Sequence, residues 1–136
     1  MIDTDICSYI MKQTPAGLLA KMETQVEQGH DICISVITYA ELRLGAERSQ
    51  ASEKYHRLID EFSDRLDFIA DWSTTEADRF ASLQARLFAS GTPIGVNDTM
   101  IAAHAMSIGA VLVTNNQRHY SRVEGLDLDN WMENQH

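Results

Sequence analysis

Three carboxylates stand at places in the chain where distant side chains can gather: Asp3, Glu41 and Asp98. Asp3 closes the short apolar start Met1-Ile2. Glu41 follows the apolar run from Ile32 to Val36, in the first turn of the helix expected next. Asp98 opens a helix that leads into the apolar run from Ala110 to Thr114, and Asn116 lies just past that run. In a parallel α/β sheet, strands end and helices begin along one edge, and such folds place their sites there. Two carboxylates about 4 Å apart repel by roughly 4 kcal/mol at an effective dielectric of 20. Three that converge need protons or a cation to offset the repulsion. Mg²⁺ suits, because it binds through one or two carboxylates and keeps several waters. Each acid also has a purely structural reading. Asp3 or Thr4 can cap the first helix, Glu41 can complete a capping box with Thr38, and Asp98 can face the positive end of a helix dipole.

Other chemistries find less support. His30, His56, His104, His119 and His136 share no spacing that suggests a nucleophile–base pair. His104 stands mid-helix among alanines and reads as a packing residue. Cys7 and Cys33 lie in apolar patterns as buried thiols and offer neither a disulfide framework nor a metal spacing. Asp3-Thr4-Asp5 after a strand resembles the Asp-x-Asp nucleophile motif of haloacid-dehalogenase-type phosphatases. Asp71, after a strand that begins at Leu66, would suit a receiver-like binding module. Both mechanisms need a later Lys, and neither the stretch around Asp98 nor Thr114-Asn115-Asn116 supplies one.

The elements that must position these residues follow from the apolar pattern. Short apolar runs alternate with helical stretches, which predicts an α/β fold with a central, mainly parallel sheet flanked by helices. Met1–Asp3 reads as a very short first strand. A buried strand usually has about five or six residues, so a few natural residues are expected to be missing from the start. Ile6, Tyr9 and Ile10 then repeat at helical spacing. Thr14-Pro15 is the expected start of a second helix, with Leu18, Leu19, Met22 and Val26 inward and Gly29 at its end. Strands are expected over Ile32–Val36, Leu66–Ala70 and Ala110–Thr114. Helices are expected after Thr38, over Ala51–Asp64, over Thr74–Ser90 with Phe80, Leu83 and Leu87 inward, and over Asp98–Ile108. Leu126, Leu128 and Trp131 suggest a last short strand and its anchor.

At 136 residues the chain fits one domain, 1–136, and 44% hydrophobic residues suffice for one core. No apolar run approaches the roughly 18 residues of a membrane span, and the start has no basic n-region. Cysteine usage adds to this, and the expected compartment is the cytoplasm. The net charge of −9 argues against a simple nucleic-acid binder, since phosphate binding rests on Lys and Arg. Either the acids face solvent, or several gather around a cation that reverses the local charge, or a basic partner covers them.

Four segments resemble, in order, the motifs of PIN-domain ribonucleases. Met1-Ile2-Asp3-Thr4-Asp5-Ile6 is similar to the opening strand, where an apolar pair precedes Asp-Thr. Ile34-Ser35-Val36-Ile37-Thr38-Tyr39-Ala40-Glu41-Leu42, with Gly45 shortly after, resembles the second motif. Pro93-Ile94-Gly95-Val96-Asn97-Asp98, with Ile101-Ala102 and His104-Ala105, resembles the third. Val113-Thr114-Asn115-Asn116, followed by Tyr120, resembles the fourth. The chain is most similar to the enterobacterial-type VapC toxins of type II toxin–antitoxin modules. That resemblance implies a PIN-like α/β/α sandwich, a Mg²⁺ or Mn²⁺ cofactor and endoribonuclease activity on initiator tRNA, cut in its anticodon loop. It also implies a VapB-type antitoxin, a toxin homodimer and operator DNA bound through the toxin–antitoxin complex.

Carried onto this chain, the resemblance makes Asp3 and Asp98 the main metal ligands. Glu41 ligates directly, acts through a water or orients the attacking water. Thr114 and Asn116 supply hydrogen bonds, and Thr4 and Asp5 support the site. Asn116 stands where many PIN domains have Asp; an amide can orient water or ligands but adds no charge. Lys12, Lys21, Arg43, Arg48, Arg86 and Arg118 are candidates for phosphate contact, and Tyr9, Tyr39 and Tyr120 for stacking on bases, against a default of solvated surface and core packing. A PIN domain that binds RNA without cutting it remains an alternative.

Overall fold

The computed structural model describes residues 1–132, so His136 lies outside the described residues. The N-terminal segment Met1–Asp3 enters the sheet and turns at once into α1 (Thr4–Lys12). Then follow α2 (Leu18–Glu27), β1 (Cys33–Ser35), α3 (Val36–Glu47), α4 (Ser52–Asp64) and β2 (Phe68–Ala70). The second half contains α5 (Thr74–Ala89), α6 (Val96–Ser107), β3 (Leu112–Val113), α7 (Gln117–Tyr120) and β4 (Leu128–Asp129). Among the described residues, no helix is long and apolar enough to cross a membrane.

β1 pairs in parallel with β2, and β3 in parallel with β4. The N-terminal segment joins these two pairs. The Ile2 N–H donates to the Cys33 carbonyl at 2.9 Å, the Asp3 N–H to Val113 at 3.0 Å, and the Val113 N–H to Met1 at 2.8 Å. The α-ammonium donates to the Val111 carbonyl at 2.8 Å. The five segments therefore lie in the order β2, β1, Met1–Asp3, β3, β4, with Ile2 paired in parallel to Val113. Strand side chains alternate between faces, and the alternation sorts the core. Ile2, Ile34 and Val113 pack with Ile6, Ile10, Leu18, Met22, Ile59 and Phe62 on one face. Met1, Cys33 and Leu112 pack with Leu83, Leu87 and Ile101 on the other. Helices thus cover both faces, as the pattern of elements requires.

The expected elements are present in kind, α7 is an addition that the sequence reading does not contain, and several boundaries move. The second helix begins at Leu18, after Gly17, and not at Thr14-Pro15. Leu18 and Met22 are buried, whereas Val26 lies on the exposed side. α3 starts at Val36, immediately after β1, because the Ser35 hydroxyl accepts from the Ile37 N–H at 3.0 Å. Ser35, not Thr38, is the cap, so Glu41 belongs to no capping box. α6 begins at Val96, two residues before Asp98. The strands are shorter than expected, since helix caps and turns take over their ends. α5 is closed at its start by a capping box of Ser73 and Glu76. Leu83 and Leu87 are buried as expected, with Phe80 partly so. Cys7 and Cys33 are both free, buried thiols.

Candidate active site

Asp3, Glu41, Asp98 and Asn116 line one small cleft of about 80 Å³, with Thr4, Asp5 and Tyr120. The cleft sits where Met1–Asp3, β1 and β3 give way to helices, at the C-terminal rim of the sheet. Chain geometry brings each group there. Asp3 ends the central strand segment and Asn116 follows β3. Glu41 lies on α3, reached directly from β1. Asp98 lies in the first turn of α6.

Asp3 serves two structural demands at once. One carboxylate oxygen accepts from the Ile6 N–H at 3.0 Å and caps α1, so the capping reading of this residue holds. Its side chain is nevertheless directed into the acidic cleft, with only 4% of the residue exposed. Burial pushes the carboxyl up to about 6, against the Thr114 hydroxyl and Ile6 N–H, which favour the charged form. The charges of Asp5 and Asp98 push it further in the upward direction.

Glu41 is held by two neighbours. The Thr4 hydroxyl donates to Oε1 at 2.7 Å, and the Asn97 amide donates to Oε2 at 3.2 Å. The Thr4 hydroxyl also lies 3.2 Å from that of Thr38. Asp98 faces His119, whose Nε2 lies 3.3 Å from Oδ2 and 2.7 Å from the Ile94 carbonyl. Both neighbours are acceptors, so Nε2 carries a proton and is shared between them. Tyr120 is buried, and burial together with the Asp98 and Asp3 charges raises its hydroxyl far above the usual range. It stays protonated as a donor toward Asp98. Thr114 is also buried, and its hydroxyl accepts from the Asn116 N–H at 2.9 Å, which sets the turn that aims Asn116 at the cleft.

Asn97 and His119 are site residues that the sequence reading does not assign, and Tyr120 is one that it offers only as a stacking candidate. Asn97 adjoins Asp98, and His119 and Tyr120 lie three and four residues past Asn116. One helical turn of spacing was therefore a usable signal. Tyr120 is a buried hydrogen-bond donor and not a stacking platform. Tyr9 and Tyr39 pack against the core. Among the candidate basic contacts, Arg43 is committed to Asp60, His56 and the Tyr39 hydroxyl. Lys12 lines a neighbouring groove, while Arg48, Arg86 and Arg118 are exposed.

The donor set fits a hard cation. Carboxylates, hydroxyls and an amide face one another, and among the described residues no Lys or Arg lines the cleft. Among the described residues, however, no three His, Cys, Asp or Glu side chains are grouped closely enough to hold an ion together. Mg²⁺ tolerates this, since it takes one or two carboxylates and completes its shell with water. A groove of about 290 Å³ between α1, α3 and α4 shares Thr4 and Glu41 with the cleft.

Residues 1–126 match the PIN domain family model. The chain is 39% identical over 132 residues to ribonuclease VapC2 of Haemophilus influenzae, covering 97% of each chain. It is 39% identical over 131 residues to the tRNA(fMet)-specific endonuclease VapC of Shigella flexneri, covering 96% of each. The fold is similar to that in the crystal structure of VapBC2 from Rickettsia felis bound to a DNA fragment from their promoter. There the TM-score is 0.90 at 35% identity, with 96% of this chain and 97% of that one covered.

Proposed function

The chain belongs to the PIN-domain family, and we propose that it is the toxin of a type II toxin–antitoxin pair, a VapC-type endoribonuclease that cuts initiator tRNA in its anticodon loop. The observation that carries this reading is the meeting of Asp3, Glu41 and Asp98, from three separate elements, in one cleft. Family membership sets aside the phosphatase and receiver-module readings, and among the described residues no Lys, which both require, lines the cleft.

Asp3 and Asp98 would hold a divalent cation, Mg²⁺ or Mn²⁺. When bound, such an ion acidifies water and polarises a phosphoryl oxygen. The protein's own groups supply orientation. Thr4 and Asn97 fix the Glu41 carboxylate, which accepts a proton from, or aligns, the attacking water. Thr114 positions Asp3 and the Asn116 turn. Tyr120 and His119 donate toward Asp98 and restrict its rotation. Asn116 presents an amide that can align water or the scissile phosphate without adding charge. A single-stranded loop suits such a site, because its bases can be splayed away from the backbone.

The partners proposed for the chain follow its relatives. A VapB-type antitoxin would lie along the groove that shares Thr4 and Glu41 with the cleft and place a basic side chain among the carboxylates, in competition with the metal. The toxin would form a homodimer, and the toxin–antitoxin complex would bind operator DNA through the antitoxin. The proposed domain is the full 1–136, and the proposed compartment is the cytoplasm. The test is cleavage of purified initiator tRNA in Mg²⁺ by the protein and by Asp3→Asn. A cut in the anticodon loop that the variant fails to make is expected. If the wild type retains tRNA but cuts no faster than Asp3→Asn, it is an RNA-binding PIN domain instead.

A further inference from the structure

His104 is fully buried on α6, yet it is the centre of a polar network outside the residues that line the acidic cleft. Its Nε2 lies 3.0 Å from the Asp71 carbonyl, and its Nδ1 lies 2.7 Å from the Ser35 hydroxyl. A carbonyl can only accept, so Nε2 carries the ring proton. Burial lowers the pKa and keeps the ring neutral. Nδ1 therefore accepts from Ser35, whose oxygen in turn accepts from the Ile37 N–H and caps α3. Every hydrogen-bonding group of the ring is used, and the Trp72 ring stands edge-on to it at 5.4 Å. A residue needed only to fill space among Ala102, Ala103 and Ala105 would not require this arrangement.

The positions of the two partners matter. Ser35 caps the start of α3, and Glu41 lies six residues beyond it. His104 lies six residues beyond Asp98 on α6. Six residues of helix span about 9 Å. At the other end of the same pair of helices, the Asn97 amide reaches Glu41. The antiparallel helices α3 and α6 are thus tied twice, once at the cleft by Asn97–Glu41 and once about 9 Å below it by His104–Ser35. The lower tie sets the axial register of the upper one. The Asp71 carbonyl anchors the ring to the segment joining β2 to α5.

We infer that His104 is a positioning residue for the acidic site: through its bond to Ser35 it locks the helix carrying Asp98 in register with the helix carrying Glu41. The inference rests on the nuclease reading of the cleft. Slippage of even about 1 Å between catalytic groups can lower turnover roughly 100-fold.

The ring can be divided by substitution. In His104→Asn the side-chain oxygen can take the place of Nδ1 and accept from Ser35, while the bond to Asp71 is lost. In His104→Gln the terminal amide can take the place of Nε2 and donate to Asp71, while the bond to Ser35 is lost. Ser35→Ala removes the same bond from the other side, and Ser73→Ala, which removes the cap of α5, controls for loss of a helix cap. Mn²⁺ affinity by electron paramagnetic resonance, kcat and KM for tRNA cleavage, and urea stability are measured on all four and on the wild type. His104→Gln and Ser35→Ala are expected to weaken Mn²⁺ binding about fivefold and to lower kcat about 10- to 100-fold with KM little changed. His104→Asn and Ser73→Ala are expected to stay within about threefold of wild type in both, despite lower stability. The inference is overturned if His104→Gln and His104→Asn fall together in proportion to their stability, or if Ser35→Ala matches Ser73→Ala. Should neither His104 variant fold, the comparison of Ser35→Ala with Ser73→Ala decides. A wild type that neither binds Mn²⁺ nor cuts tRNA would instead refute the underlying nuclease reading.

Discussion

Replacing Asp3 by Asn should make the metal-free protein more stable while removing its activity. Asn retains a side-chain oxygen that can cap α1, so the substitution changes chiefly the charge. Burial is the largest cause of the rise of the Asp3 carboxyl from its ordinary value of 3.8 to about 6. A folded-state value above the unfolded one means that the fold prefers the neutral acid. The associated stability is fully present below pH 3.8 and is lost as the pH rises through about 6. The difference corresponds to about 3 kcal/mol at 1.36 kcal/mol per tenfold change in acidity. Urea denaturation of both proteins in chelator, between pH 4 and pH 7.5, measures it. The stability of Asp3→Asn relative to wild type should rise by about 2.4 kcal/mol across that range, because part of the effect is already present at pH 4, a midpoint shift of roughly 1.6 M at an m value of about 1.5 kcal/mol/M. Added Mg²⁺ should stabilise the wild type and leave the variant unchanged, because binding to the native state shifts unfolding by mass action. A gap that does not vary with pH, or a variant less stable than wild type at pH 7.5, would show that Asp3 carries no buried charge to relieve.

Glu41→Gln and Asp98→Asn should each lower the rate of tRNA cleavage at least about 100-fold in Mg²⁺ while leaving the fold intact by circular dichroism, since each removes a charge placed for the reaction. Asn116→Asp adds another carboxylate to the cleft. It should tighten Mn²⁺ binding several-fold in a titration and lower metal-free stability by about 1 kcal/mol through added repulsion. Because the chain carries a net charge of −9, chelation of divalent ions should weaken tRNA retention on filters by about tenfold or more. Leu83→Ala, at a buried core position of α5 that does not line the cleft, should cost about 2–5 kcal/mol in urea denaturation without changing kcat for the folded fraction.

Much of this protein is legible in its sequence because periodicity and local chemistry report directly on which face of an element is buried. The alternation of short apolar runs with helical stretches anticipated a parallel α/β fold. Leu83 and Leu87 marked the inner face of α5, and the four ordered segments around Asp3, Glu41, Asp98 and Thr114-Asn115-Asn116 marked the residues that line the cleft. What the tertiary structure decided are contacts between residues far apart in the chain. Ser35 rather than Thr38 caps α3, because β1 stops one residue before the helix and leaves that hydroxyl at its end. Glu41 faces Thr4 and Asn97, and Tyr120 turns its hydroxyl toward Asp98, because the sheet order places Met1–Asp3 between β1 and β3. His104 looked like a space-filler among alanines, since nothing local distinguishes a packed imidazole from one that bonds to Ser35, 69 residues earlier. Periodicity encodes burial over a few turns of chain; partners across the fold depend on strand order and helix register, which no short stretch of residues contains.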